Sequence, residues 1–192
     1  EVNATLQPLV DRIVPQYKAG KLEKSSEDFW AARASITFSK DSNIDRGIFS
    51  IYFFNIVHLK KGESLFQGAG LPHAYLEGQN VELMSNSDNV LRGGLTTKHI
   101  DVNELLKHVK CEPTFPDVLK GEGTALHVKL FKPPVKDLQL SVTELKKNDT
   151  VQSVANSTEI ILVTDGEAQI IDTGIDLQVG QPTAVAFKGT SY

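Results

Sequence analysis

Cysteine occurs once in the 192 residues, at Cys111. A single thiol excludes an internal disulfide framework and fits a reducing compartment, so the cytoplasm is the expected location. A lone Cys111 with no activating motif around it reads as an inert thiol. Long apolar runs are also missing, which removes the case for a bilayer-spanning helix. No basic-then-apolar leader opens the chain, so the sequence gives no support for secretion. Positive charge is not in excess: 20 Lys and Arg stand against 24 Asp and Glu, for a net charge of -4. That balance offers no electrostatic footprint for nucleic acid. There is no low-complexity tract and no helical repeat array. No HxxxH or CxxC pair sets metal ligands on one element. Methionine occurs only at Met84, and the first residue is Glu1. The expectation is a processed or partial chain, whose end at residues 184–192 reads as a strand cut in the middle.

What is present fits a soluble globular protein of one domain or two small ones, with 40% hydrophobic and 23% charged residues. Leu6, Leu9, Val10, Ile13 and Tyr17 have helical spacing. Pro8 suits a first turn, and Pro15 should kink or end that helix. A second helix is expected to start at Ser25-Ser26, with Glu27 and Asp28 near its positive end. It carries Phe29 and Trp30, read as core residues. Residues 48–59 are apolar on both faces and rich in aromatic and β-branched side chains, which predicts a strand buried on both sides. His58 would then be a hydrogen-bonded core histidine.

Residues 60–63 form a turn, 64–67 a short strand, and 68–70 reverse the chain. Residues 80–84 are expected as a strand with Glu82 and Met84 on one face. Asp101-Val-Asn-Glu104 has the form of a capping box opening a short amphipathic helix. A loop rich in Pro and Gly follows from Cys111 to Gly123. Beyond it come six short apolar runs, and Asp165-Gly166 predicts a two-residue hairpin between two of them. Short strands at regular spacing predict a sandwich or barrel, in particular a jelly roll.

The chemistry-bearing residues crowd into one window. Gly68-Ala-Gly-Leu-Pro-His-Ala-Tyr75 is followed by Glu82, Asp88, Arg92, Gly93-Gly94 and Lys98. Histidine, carboxylate, guanidinium and ammonium among glycines read as a site. His73 is one possible metal ligand, but zinc needs three or four. Arg92 and Lys98 suit an anionic substrate such as a sugar phosphate. The alternative is that both are surface residues paired with Asp88 or Asp101. Gly93-Gly94 would let backbone amides approach an anion. His99 and His108 read as solvated, and His127 as structural.

Three blocks carry a family resemblance. Asp45-Arg-Gly-Ile-Phe-Ser-Ile-Tyr52, Phe66-Gln-Gly-Ala-Gly-Leu-Pro-His-Ala-Tyr-Leu-Glu-Gly78 and Val81-Glu-Leu-Met-Ser-Asn-Ser-Asp-Asn-Val-Leu-Arg-Gly-Gly-Leu-Thr-Thr-Lys98 closely resemble the C-terminal half of type I mannose-6-phosphate isomerase. Two positions depart from the family pattern: Gly93 stands where alanine is usual, and Thr97 where proline is. The resemblance fades after Val109.

It implies a zinc-dependent aldose–ketose isomerase that interconverts mannose 6-phosphate and fructose 6-phosphate through an enediol. On that resemblance His73 is a zinc ligand and Arg92 the catalytic arginine. Tyr75, Glu82, Asp88 and Lys98 contact substrate or orient its contacts. The proton-transfer base stays open, with Glu82 chemically apt. The family's Gln-x-His pair and its upstream glutamate ligand do not occur here. The resemblance therefore implies a fragment that is inactive alone, with the missing N-terminal part as its partner. The implied fold is mainly β and cupin-type: residues 1–46 a helical segment, 47–112 part of a catalytic cupin domain, and 113–192 a C-terminal cupin-like domain. A non-catalytic sugar-binding cupin is the alternative.

Overall fold

A computed structural model describes residues 1–40, 43–87, 89–155, 157–172, 175–179 and 183–188. Residues 1–122 together with 130–142 form one compact unit; residues 123–129 and the described residues from 143 onward form another. Secondary structure is mixed, with helices at the front and small antiparallel sheets behind. No helix among the described residues is long and apolar enough to cross a membrane.

Helix α1 (Val2–Lys18) buries Leu6 and Ile13, seven residues and therefore about two turns apart. It continues past Pro8 and Pro15 to Lys18, against the expectations that Pro8 would sit in the first turn and that Pro15 could end the helix. Both prolines are exposed, so solvent reaches the carbonyls that lose a donor there. The Pro15 carbonyl accepts from the Ala19 N–H at 3.0 Å, which carries the helix into its last turn.

Helix α2 (Glu27–Phe38) starts where expected: the Ser26 hydroxyl accepts from the Asp28 N–H at 3.2 Å. It packs on α1, and its Trp30, Ala31 and Ala34 are buried in one cluster with Leu6 and Ile13 of α1. The small alanine side chains permit close helix approach, and the indole fills the remaining space. Trp30 and Phe29 are core or core-lining, as expected from sequence.

The next segment corrects the sequence reading. Residues 48–59 hold no strand; helix α3 (Ile48–Phe53) occupies the front of the run. Ile48 and Ile51 are buried at a helical spacing of three, whereas Phe53 is 80% exposed. The apolar run was long enough for either element, and periodicity alone does not separate them. Tertiary packing against α2 and the turn at Asp45 favour the helix. The expected core histidine, His58, is exposed on the loop that follows.

Asp28 ties the three helices together. Arg12 donates to both of its oxygens, at 2.7 and 3.2 Å, and the Tyr52 hydroxyl donates to one of them at 2.7 Å. Arg12 and Tyr52 both hold the Asp28 carboxyl below its ordinary value, Arg12 more strongly. Burial, and then the same hydrogen bond, push the Tyr52 phenol well above its own.

Residues 55–70 are tied to 110–119. Asn55 donates to the Thr114 carbonyl at 2.8 Å, and the Lys110 N–H to the Gly70 carbonyl at 2.9 Å. Strand β1 (Ser64–Leu65) pairs antiparallel with β2 (Val118–Leu119). The turn at 60–63 forms as expected, with the Glu63 N–H on the Lys60 carbonyl. The strand expected at 80–84 does not form: Val81, Glu82, Leu83 and Met84 are all exposed, without a neighbouring strand. An extended segment with no partner has unmade ladder hydrogen bonds, and its alternation has no core to face.

Helix α4 (Val102–His108) is capped by Asp101, which accepts from the Glu104 N–H at 2.9 Å. The reciprocal half of the capping box is absent, because the Glu104 carboxylate turns to Lys107 and His108. The His108 ring therefore meets the Glu104 carboxylate at 2.9 Å while remaining exposed, and His99 is exposed.

Strands β3 (Glu122–Ala125), β4 (Val128–Phe131) and β5 (Leu140–Thr143) form a three-stranded sheet in that order. His127 sits in the left-handed region (φ 67°) just before β4, and its ring faces the Asp149 carboxylate at 3.3 Å. Strand β6 (Thr158–Val163) pairs with β9 (Thr183–Lys188), and β7 (Ala168–Asp172) with β8 (Ile175–Val179). Asp165-Gly166 thus connects β6 to β7 without closing the expected hairpin between them. The left-handed Gly166 (φ 75°) turns the chain, but β6 takes a partner from the far side of the β7–β8 pair.

Candidate functional site

Two loops carry the residues singled out from sequence, and each is seated by a glycine contact. Asp45 begins the first arrangement. Its Oδ1 accepts from the Gly47 N–H at 2.7 Å, which starts α3, and from the Leu95 N–H at 3.2 Å. One carboxylate oxygen therefore fixes residues 92–98 against the head of α3. Gly94 adopts φ 144°, and a Cβ built there would lie 2.9 Å from the Gly47 Cα. Only glycine allows both the conformation and the approach. Leu95 packs beside the helical core, Thr96 accepts from the Lys98 N–H at 3.1 Å, and Arg92 is half-buried.

The Gly93-Gly94 pair thus serves chain packing at Gly94. Among the described residues, neither Arg92 nor Lys98 makes an ion pair, and the carboxylate of Asp101 caps α4. Asp88 lies outside the described residues.

The second loop holds His73 and Tyr75. Gly70 (φ 81°) presses against the His108 carbonyl, 2.7 Å from a Cβ built at that position. That contact and the Lys110–Gly70 hydrogen bond set where the loop leaves. His73 Nδ1 faces the Leu71 carbonyl at 3.0 Å. A carbonyl only accepts, so Nδ1 is assigned the proton and the Nε2 lone pair remains for a ligand or donor. The His73 and Tyr75 rings meet edge to face at 6.1 Å. Partial burial raises the Tyr75 phenol, and the neighbouring Glu82 carboxylate raises it further. His73, Tyr75 and Glu82 are therefore brought together, and all three are exposed.

A metal centre is tested by counting donors. The His73 tautomer suits a metal ligand, yet no group of three His, Cys, Asp or Glu able to hold a metal exists among the described residues. The described donor set does not amount to a zinc cage.

Sequence reasoning missed three features. Asp45 is the hub that seats residues 92–98; the Asp-x-Gly pattern of an Asx turn was the available signal. Glu77, two residues after Tyr75, ion-pairs with Lys24 and Arg33. A cleft of about 360 Å³ lies between Phe38, Lys40, Asn43, Asp45, Thr96 and Thr97, beside rather than among the expected residues.

Comparison with known proteins supplies the context. No family model matches the chain, and no solved structure matches it. Curated relatives do match. Mannose-6-phosphate isomerase of Escherichia coli K12 is 39% identical over 144 residues, 74% of this chain and 36% of that protein. Mannose-6-phosphate isomerase 1 of Arabidopsis thaliana is 34% identical over 139 residues, 72% of this chain and 32% of the relative. The Bos taurus protein of the same name is 36% identical over 169 residues, 84% of this chain and 38% of its own. The chain spans about a third of the length of the curated relatives it matches.

Each of those relatives is named a mannose-6-phosphate isomerase. The chain is a homologue of the mannose-6-phosphate isomerases over a partial region of their length.

Proposed function

We propose that this chain supplies one wall of a mannose-6-phosphate isomerase, in a full-length protein that interconverts mannose 6-phosphate and fructose 6-phosphate. The observation that carries the reading is identity of 34–39% to isomerases, in a chain that also places His73, Tyr75 and Glu82 together and holds Arg92 and Lys98 without a salt-bridge partner among the described residues. Isomerisation moves a proton between adjacent carbons and needs a base and stabilisation of a developing oxyanion. Arg92, half-buried, is the group proposed to face that oxyanion. Lys98 would meet the anionic substrate as a point charge, and Tyr75, Asp88 and Glu82 would hold its hydroxyls or orient the groups that do.

Zinc belongs to this proposal as a cofactor held by His73 and by ligands outside the chain; bound, it would polarise substrate oxygens. A mainly β, cupin-type completion of the extended residues 66–100, with a second cupin-like region after residue 113, is proposed on the same grounds, and so is a cytoplasmic location.

Arg92→Ala in the full-length protein tests the reading in a coupled assay with mannose 6-phosphate. An isomerase loses kcat by about 10²–10³-fold with little change in KM. A non-catalytic sugar-binding cupin would show no turnover in the unmutated protein and would lose only affinity.

A further inference from the structure

The loop bearing His73 and Tyr75 is pinned at its far end by an arrangement that begins in the helical core. Trp30 is 6% exposed. Its indole N–H donates to the Lys24 carbonyl at 2.8 Å. Its ring face receives the Arg33 guanidinium, 5.7 Å from the ring centre. One buried ring thus fixes the backbone of one cation and the head group of another. Both cations close on Glu77: Lys24 Nζ on Oε1, and Arg33 Nη1 on Oε2 at 2.8 Å. Each carboxylate oxygen has its own cationic donor. Glu77 lies two residues after Tyr75, and the loop's near end is fixed at Gly70. The segment between them has no secondary structure of its own.

The geometry points to Glu77 as a positioning residue: the Lys24–Glu77–Arg33 clamp, backed by Trp30, sets where His73 and Tyr75 stand. This rests on the isomerase reading for what the position is used for, and on the structure alone for the clamp. Lys24 and then Arg33 hold the Glu77 carboxyl below its ordinary value, so it is ionised at neutral pH. The members are solvent-exposed, so salt screens the clamp. A single pair of this kind orders little; two cations with a shared anchor on a buried ring restrict a loop more than either alone.

The test is NMR of the 192-residue chain, comparing wild type with Glu77→Gln, which keeps shape and removes charge. In wild type the backbone order parameters of residues 73–79 sit near the rigid value of about 0.85, and a His73–Tyr75 ring NOE is seen. In Glu77→Gln they fall below about 0.6 and the NOE is lost, while α1 and α2 are unchanged. Arg33→Met loosens the loop in the same way, Arg33→Lys keeps most of the order, and 0.5 M NaCl reproduces part of the Glu77→Gln effect. An unchanged loop in Glu77→Gln overturns the clamp.

A second arm uses the full-length protein, where Glu77→Gln should slow mannose 6-phosphate turnover about three- to tenfold, with Arg33→Lys nearer wild type than Arg33→Met. A loosened loop with unchanged turnover overturns the positioning role. Absence of turnover in the unmutated protein overturns the isomerase reading, and the NMR arm still decides the clamp.

Discussion

The helical front of the chain and the loops of residues 66–100 make opposite use of their apolar residues. In the front, Leu6, Ile13, Trp30, Ile48 and Ile51 are buried in one cluster. In the loops, Val81, Leu83, Met84, Val90 and Leu91 are all exposed, and the residues expected to perform chemistry stand among them. The first region is held by its own packing. The second is held at a few points: Asp45, Gly70, Gly94 and Glu77. The difference teaches that this chain contains a packed helical front and a set of exposed loops, joined mainly by polar and glycine contacts, with Leu95 packed against the helical core.

That contrast is sharpest under side-chain truncation. Ile48→Ala should cost about 2–5 kcal/mol in urea unfolding, because it leaves a cavity in the helical cluster. Leu83→Ala, in the loops, should stay within about 0.5 kcal/mol. Equal costs would break the comparison. A smaller effect probes the joints. Gly94→Ala should cost about 1–3 kcal/mol in backbone strain, and it should also shift the amide resonances of Gly47 and Leu95, which it would displace. Gly78→Ala, at φ 125° with nothing within 4 Å of the built Cβ, should show strain without that displacement.

Acid titration separates the regions again. The folded pKa of Asp28 lies below its ordinary 3.8, so its ion pair adds stability that is fully present above that value. The contribution is lost as pH falls through the lower, folded value. Asp28→Asn should therefore cost about 1 kcal/mol at pH 7, allowing for the exposed Arg12, and the cost should vanish with acidification below 3.8. A cost that persists in acid would assign the effect to packing. The smallest contrast is between caps. Ser26→Ala should lower global stability by about 1 kcal/mol. Asp101→Ala should only fray α4, which buries no residue, and a loss of global stability there would contradict the division.

Legibility in the sequence followed the same line. The caps at Ser26 and Asp101 and the turn at 60–63 were readable because each is decided by a few neighbouring residues. The run from Ile48 was misread as a strand, since its apolar pattern suits both elements and its helix is selected by packing and by Asp45. The expected strand at 80–84 failed for want of a partner, which local pattern does not reveal. Asp165-Gly166 is good turn chemistry, but strand choice is a long-range matter, and β6 pairs with β9 instead. His73, Tyr75 and Glu82 stand out by residue type, and the structure places them near one another. Nothing local marks Glu77, because its partners lie 44 and 53 residues away.

The proposal that this chain carries only part of an isomerase site is tested most directly by turnover of the isolated 192-residue chain. The purified chain, folded by thermal melting and supplied with zinc, is given mannose 6-phosphate in an assay coupled to fructose 6-phosphate. The account predicts cooperative melting with no enzymatic turnover. Turnover at the rate of the full-length protein would contradict it.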